Sequence, residues 1–346
     1  MSVPFQTAGV ATTLPEPYLL FLGDITEPGY AKTAFGLRDW APHKCVGEYA
    51  CAEDAVTTGL ARMTPLQAKA HGARAMVIGV ANSGGVIPEA WLPALVEALD
   101  AGLDLIAGMH TRLAQIPDLA ETARRLGRRL IDVRRPPPDI PIATGRKRPG
   151  RRLLTVGTDC ALGKKYTALA ITRGFAERGL DVDFRATGQT GIMIAGGGIA
   201  IDAVVADFAA GAAETLSPDA DPAHWDVIEG QGSLCHPAYA GVSLALLHGS
   251  QPDVIVVCHD AARDTILGHP GFPLPTVEEV IRLSLELGRR TNPTIRCGGV
   301  TINTSALAPS EAEDLLAAQA AKLDLPVADP MRAGLRFERL LDSCLA

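Results

Sequence analysis

The chain has 346 residues, 47% hydrophobic and 21% charged, the proportions of a well-packed globular protein long enough for two domains of ordinary size. Its formal net charge of −7 argues against a nucleic-acid binder, whose affinity comes from Lys and Arg neutralising phosphates, and 5% aromatic residues leave little for base stacking. Apolar runs are too short or too broken by Gly, Pro and charge to span a bilayer, and residues 1–13 lack the basic start and apolar run of a secretory signal, so a cytoplasmic protein with no membrane partner is expected. From the N-terminal side, residues 18–23, 75–80, 103–107 and 130–133 predict buried parallel strands. Residues 65–72, 88–101 and 117–129 predict helices, each opened by a proline suited to a first turn. This alternation predicts a Rossmann-like open sheet over residues 1–135.

A Pro-rich, basic stretch follows. Arg134-Arg135-Pro136-Pro137-Pro138 opens it and Arg146-Lys147-Arg148-Pro149-Gly150-Arg151-Arg152 closes it. Prolines stiffen such a segment and like charges keep it solvated, so residues 136–150 read as a linker; a basic rim attracting an anionic ligand is the other reading. The α/β pattern restarts at 151 and continues to 346. Strands are predicted at 153–156, 182–185, 227–228, 254–258 and 294–302, and helices at 164–178, 199–210, 276–290 and 309–322. Ligands are expected beyond the carboxyl ends of these strands. The seven cysteines are scattered, with no CxxC pair and no Cys/His set at zinc-binding spacing, so they read as reduced thiols and no metal site is expected.

The first strand of this second half runs directly into Gly157-Thr158-Asp159-Cys160-Ala161-Leu162-Gly163-Lys164-Lys165, and a helix then begins. Strand, glycine-rich loop and helix is the setting of a P-loop. Glycines let the backbone approach an anion, loop amides donate to it, and the helix N-terminus and Lys164 add positive charge. Five residues separate the two glycines, a spacing similar to that in dethiobiotin synthetase. Lys165 stands where a nucleotide hydrolase has the Ser/Thr hydroxyl that holds Mg²⁺. An ammonium cannot ligate magnesium, and Tyr166 and Thr167 offer hydroxyls only from shifted positions. The loop therefore reads as built to hold phosphates more than to cleave them.

Other segments at predicted strand ends carry chemistry. Asp226-Val227-Ile228-Glu229-Gly230-Gln231-Gly232 resembles the acidic second motif of P-loop enzymes, and Glu229 is a candidate base, metal ligand or turn cap. Asn303, in Thr301-Ile302-Asn303-Thr304, sits where related proteins read adenine, or is an ordinary turn asparagine. Arg185-Ala186-Thr187-Gly188-Gln189-Thr190-Gly191 follows another strand.

Together with Gly23-Asp24, Ala31-Lys32-Thr33-Ala34, Cys45-Val46-Gly47, Gly84-Gly85 and Gly108-Met109-His110 in the first half and Ile302-Asn303-Thr304-Ser305 in the second, these motifs resemble a two-domain bacterial and archaeal P-loop family formerly of unknown function. One branch of that family contains D-glutamate N-acetyltransferases, and the resemblance covers nearly the whole chain. It implies an α/β fold with an N-terminal Rossmann-like domain and a C-terminal P-loop NTPase-like, dethiobiotin synthetase-like parallel-sheet domain. It also implies acetyl transfer from acetyl-CoA to the amino group of D-glutamate or a similar acidic amino acid. Coenzyme A carries a pyrophosphate and a 3′-phosphate, which a cradle of amides and lysines suits without Mg²⁺. Residues 157–166 and Asn303 are then the cofactor contacts. Amide formation needs a base for the substrate ammonium, and Glu229, His236, His259 and Asp260 are the candidates. The substrate carboxylates call for cations, with Lys32, Arg38, Arg185 and Arg263 expected in loops at the ligand edge and His110 and Gln189 as further contacts. Two other functions stay open on the residues alone: a Mg-ATP-dependent ligase or kinase, and a non-catalytic nucleotide-binding module. A symmetric homo-oligomer is expected for an apolar-rich enzyme of this size.

Overall fold

Runs of apolar residues with no polar face must be covered on both sides, which parallel strands achieve with helices above and below them. In this structure, a computed structural model that describes residues 14–332 and 334–346, such runs build two separate parallel sheets. Residues 1–13, expected to carry no secretory signal, lie outside the described residues.

The first sheet joins β1 (Tyr18–Gly23), β2 (Cys45–Ala50), β3 (Ala75–Ile78), β4 (Asp104–Ala107) and β5 (Leu130–Asp132) in the order β2-β1-β3-β4-β5. Every pairing in it is parallel. Its helices are α1 (Lys32–Trp40), α2 (Pro65–Ala70), α3 (Leu92–Asp100) and α4 (Pro117–Leu126). Thr64 and Gln67 form a capping box on α2, and each of α2, α3 and α4 has a proline in its first turn. The strand order is that of a doubly wound Rossmann-like sheet. Lys32 and Arg38, expected in a loop, lie in α1; the apolar face Thr33, Ala34, Leu37 and Trp40 is buried and makes that segment helical.

The second sheet contains β6 (Arg151–Gly157), β7 (Val182–Arg185), β8 (Trp225–Ile228), β9 (Val254–Asp260), β12 (Arg296–Asn303) and β13 (Val327–Ala328), in the order β13-β12-β9-β6-β8-β7. All its pairings are parallel too. Between β9 and β12 the chain forms an antiparallel hairpin, β10 (Thr265–Ile266) with β11 (His269–Pro273). The helices are α5 (Lys164–Glu177), α6 (Gln189–Ala195), α7 (Ala206–Leu216), α8 (Ala240–Ser250), α9 (Val277–Gly288), α10 (Pro309–Leu323) and α11 (Leu335–Leu345). The first strand, β6, lies between β8 and β9, so strand order reverses beside it. That reversal opens a crevice at the carboxyl ends of β6, β8 and β9, where open α/β sheets bind ligands.

By its contacts the chain divides into two compact units. The P-loop unit holds Pro137–Gly191 and Ile201–Ala346, and the Rossmann-like unit holds residues 14–136 together with Ile192–Ala200. The basic stretch expected to be solvated is partly a packed element. Arg148 and Arg152 are 5% and 0% exposed. Arg148 donates to the carbonyls of Ser217 and Gly249, and Arg152 to those of Pro149 and Pro218 and to the Ser217 hydroxyl. Five N–H donors allow a guanidinium to be buried where carbonyls surround it. Among the described residues no helix is long and apolar enough to cross a membrane.

Candidate functional site

The phosphate loop is built on β6. Gly157 ends the strand in register with Cys258 of β9, and the Thr158 amide donates to the Cys258 carbonyl at 3.1 Å. Gly163 has φ +113° and ends the loop at the first turn of α5, a conformation that side chains disfavour. No side chain caps α5, so its first amides and its partial positive charge face the loop.

Asp159 is the keystone of the loop. It is fully buried, and its carboxylate accepts from the amide of Cys160 at 2.6 Å, from Arg263 at 2.9 Å and from the amide of Leu267 at 2.8 Å. Arg263 also donates to the Cys160 carbonyl at 2.7 Å. The turn between β10 and β11 is thereby tied to the loop. Lys164 is buried and donates from Nζ to the Asp159 carbonyl at 2.6 Å. Burial pushes its ammonium below the usual lysine range, opposed by Cys160, Cys258 and Asp159 nearby. Lys165 is half-buried, its Nζ 5.2 Å from the centre of the Tyr166 ring. Ala161 and Leu162 complete the loop, the first exposed and the second buried.

Two strand ends, those of β8 and β9, bring the candidate acid–base groups to this edge. After β8, Glu229 is buried, and its Oε2 accepts from the amides of Thr187 and Gly188 at 3.0 and 3.1 Å. Burial raises its carboxyl above the usual range, while Lys165 and those two amides oppose the rise. The backbone here is packed without slack: a Cβ at Gly230 would run into the Thr155 carbonyl oxygen, and one at Gly191 into the Glu229 carboxylate. At the end of β9, His259 Nδ1 lies 3.0 Å from Thr158 Oγ1. Burial holds His259 below the usual imidazole range, Asp260 acting the other way. Asp260 accepts from the Ala262 amide and from Asn303 Nδ2 at 3.1 Å, and Asn303 accepts from the Ser305 amide. The Asp260–Asn303 pair thus ties the ends of β9 and β12 together, with the Asn303 amide engaged on both sides.

His236 reaches the loop from the segment after β8. Its Nε2 lies 3.7 Å from Asp159 Oδ1. Sequence reasoning thus brings Glu229, His236, His259 and Asp260 to one edge together with residues 157–166.

Two substrate expectations need correction. Arg185 is the last residue of β7 and 2% exposed, ion-paired with Asp226 at 2.6 Å and Asp183 at 3.0 Å. It belongs to a buried network under the sheet, because an uncompensated guanidinium there would be costly. Arg263 braces the phosphate loop, its NH1 shared between Asp159 and Cys160. Of the remaining candidates, Arg38 pairs with Asp39 and donates to the Thr58 carbonyl, and the exposed His110 donates its amide to the Gly85 carbonyl; both, with Lys32, lie in the Rossmann-like unit. Gln189 opens α6, and its Oε1 is buried without a hydrogen-bond partner.

Among the described residues, two groups of ligand-type side chains lie within 4.8 Å of one another: Asp159 with Cys160 and His236, and Asp183 with His224 and Asp226. The second belongs to the Arg185 network. Sequence reasoning missed the 265–273 hairpin and Thr155, whose hydroxyl accepts from the Gly230 amide. The turn glycine Gly268, at φ +78°, was the available signal for the hairpin.

Residues 43–136 match the Rossmann-like N-terminal domain of DUF1611, and residues 141–341 match its C-terminal P-loop domain, both described as domains of unknown function. The chain belongs to the DUF1611 family. Two relatives named D-glutamate N-acetyltransferase align over nearly all of it. One, from Tritonibacter scottomollicae, is 48% identical over 330 residues, 95% of this chain and 98% of its own. The other, from a Pseudoalteromonas species, is 45% identical over 318 residues, 92% and 96% of the two chains. A crystal structure of a family member from Anabaena variabilis is similar with TM-score 0.85 at 35% identity, covering 95% of this chain and 99% of that one.

Proposed function

We propose that the protein is a D-glutamate N-acetyltransferase that takes its acetyl group from acetyl-CoA. One observation supports this reading above the rest. A phosphate loop that begins α5 with two lysines, and has no hydroxyl beside Lys164, suits a polyphosphate held without Mg²⁺ and released intact. The identity to two whole-length relatives of that name supports the same reading. Residues 157–165 would hold the phosphates, with the loop amides as donors. Lys164 now closes onto the Asp159 carbonyl, and a phosphate oxygen competes for the same ammonium. Seven cysteines without a disulfide fit a reducing compartment, and we place the protein in the cytoplasm.

Acetyl-CoA supplies an activated acyl carbon and a thiolate leaving group. Among the candidate bases we assign the proton transfer to His259. It is half-buried, and its lowered basicity keeps it neutral near pH 7. When Nδ1–H donates to Thr158 Oγ1, Nε2 carries the lone pair that takes a proton from the substrate ammonium. The freed amine nitrogen forms its bond to the acyl carbon and gives up a second proton to solvent, the carbon–sulfur bond breaks, and His259 returns the first proton to the departing thiolate. We assign Glu229 a positioning role, because Oε2 already organises the Thr187–Gly188 turn.

Incubation with D-glutamate and acetyl-CoA is expected to release free thiol in step with N-acetylglutamate, read by thiol titration and product mass, and a chelator is expected to leave the rate unchanged. No thiol release across a panel of D- and L-acidic amino acids would overturn the assignment, and ADP formed from Mg-ATP in its place would establish a ligase or kinase. Lys164→Ala is expected to raise the Kd for coenzyme A at least about tenfold, the scale of one charge-assisted contact. An unchanged Kd by calorimetry would show that the loop does not hold the phosphates.

A further inference from the structure

The buried histidine beside the phosphate loop has its proton fixed in place. His236 Nδ1 accepts the backbone N–H of Ala238 at 3.0 Å and of Tyr239 at 3.2 Å. A ring nitrogen that accepts two N–H groups has its lone pair engaged and carries no proton of its own. The ring cannot readily turn away from them. It stacks on Tyr239 with centroids 4.5 Å apart and meets His269 edge-on at 5.2 Å. The imidazole proton must therefore sit on Nε2. That nitrogen is buried and has no hydrogen-bond partner. It points at the crest of the loop, 3.7 Å from Asp159 Oδ1, beyond hydrogen-bond reach. The carboxylate cannot come closer, because Cys160, Arg263 and Leu267 already hold it.

Three uses of this nitrogen compete. A cation held by Asp159, Cys160 and His236 needs a lone pair on Nε2, and so does proton abstraction. Either would drive the proton onto Nδ1, against two N–H groups that already point there. Donation alone agrees with both ends of the ring. Burial also disfavours the imidazolium, with His269 and Lys164 adding repulsion and Asp159 opposing them.

We propose that His236 is the fixed N–H donor of this site, a neutral imidazole whose Nε2–H binds a negatively charged oxygen and takes no part as a base. The oxygen is either a phosphate oxygen of the acyl donor or the acyl oxygen that gains charge as the amine adds. The choice between them rests on the acetyl-transfer reading; the donor role itself does not.

The decisive measurement is nitrogen-15 NMR of histidine-labelled full-length protein at pH 7, with the His236 signals assigned by their loss in His236→Gln. Nε2 is expected to carry the proton with Nδ1 bare, and its N–H signal is expected to move on adding inorganic pyrophosphate or acetyl-CoA. A proton on Nδ1, a doubly protonated ring, loss of the Nε2 proton on adding Zn²⁺, or a signal that neither ligand moves would overturn the proposal. Kinetics then separate the two oxygens. If the oxygen is a phosphate's, pyrophosphate alone shifts the signal, and His236→Leu raises the KM for acetyl-CoA about tenfold with kcat nearly unchanged. If it is the acyl oxygen, His236→Leu lowers kcat by about 10²-fold at constant KM, the loss seen when one oxyanion donor is removed, and His236→Gln recovers part of it. A signal that moves with pyrophosphate in a protein without acetyltransferase activity keeps the donor and removes the acetyl-transfer reading.

Discussion

His224 donates from both ring nitrogens, from Nδ1 to Asp181 at 2.9 Å and from Nε2 to Asp226 at 3.2 Å, which only an imidazolium can do. The hydrogen bond to Asp226 leads in pushing its pKa up to about 9 from 6.5; burial opposes the rise, and the bond to Asp181 adds to it. The folded value lies above the unfolded one, so the stabilisation is complete below pH 6.5 and is lost as pH climbs through about 9. Thermal melts of wild type and His224→Gln are expected to converge across that window, with wild type ahead only on the acid side. A constant difference from pH 6 to about 9.5 would show that His224 does not titrate with folding. The same network explains an error of sequence reasoning at this scale. The charge of Arg185 was legible, but its partner Asp226 lies 41 positions away, and only the pairing of β7 with β8 brings them together. Arg263 is the same case, 104 positions from Asp159. The loop glycines and Lys164 were legible because their chemistry is local, set by one strand, one turn and one helix start.

The 265–273 hairpin shows what an element of weak intrinsic structure needs in order to stay in place. Its first strand has two residues, and Asp159 secures it through Arg263 and the Leu267 amide. Asp159→Asn keeps the shape and removes the charge, so the Leu267 amide is expected to exchange with deuterium at least about tenfold faster, a loss of roughly 1.4 kcal/mol in local stability. Unchanged exchange at Leu267 would show that other contacts hold the hairpin. Packing is stricter at the β8 turn, where Gly230→Ala drives a methyl group into the Thr155 carbonyl. A loss of at least about 2 kcal/mol in denaturant unfolding is expected, at the upper part of the range for overpacking. Helices α2, α3, α4, α5, α9 and α10 were legible in the sequence; α1, α6 and α11 were not, and neither was α8. It is apolar on most sides and packs between α7 and α9, so its sequence has no contrast to reveal its period.

At the scale of the whole molecule, the two units are not two consecutive lengths of chain. Ile192–Ala200 lies within the second half of the sequence but groups with the Rossmann-like unit, so α6 begins in one unit and ends in the other. Ile192, Met193, Ile194 and Ile199 are each no more than 1% exposed. A cut after Pro136 therefore leaves the first piece without an apolar segment and the second with that segment uncovered. Residues 137–346 expressed alone are expected to aggregate or to bind a hydrophobic dye, and co-expression with the first piece to restore a soluble complex. A soluble, cooperatively melting second piece would contradict this. The sequence showed two α/β patterns and a proline-rich break between them, but the excursion of nine residues leaves no mark in composition, because its apolar character suits a core in either unit.

That excursion also sets an order of events at the ribosome. The N-terminal unit is not complete when its own sheet has been made, since it awaits residue 200, which emerges 64 residues after the break. At ordinary elongation rates this delay is roughly 3–13 s, longer than most small sheets take to collapse. During it Ile192–Ala200 has not yet joined the unit with which it groups, so a translational pause between 137 and 200 is expected to lower the yield of native protein more than one after 201.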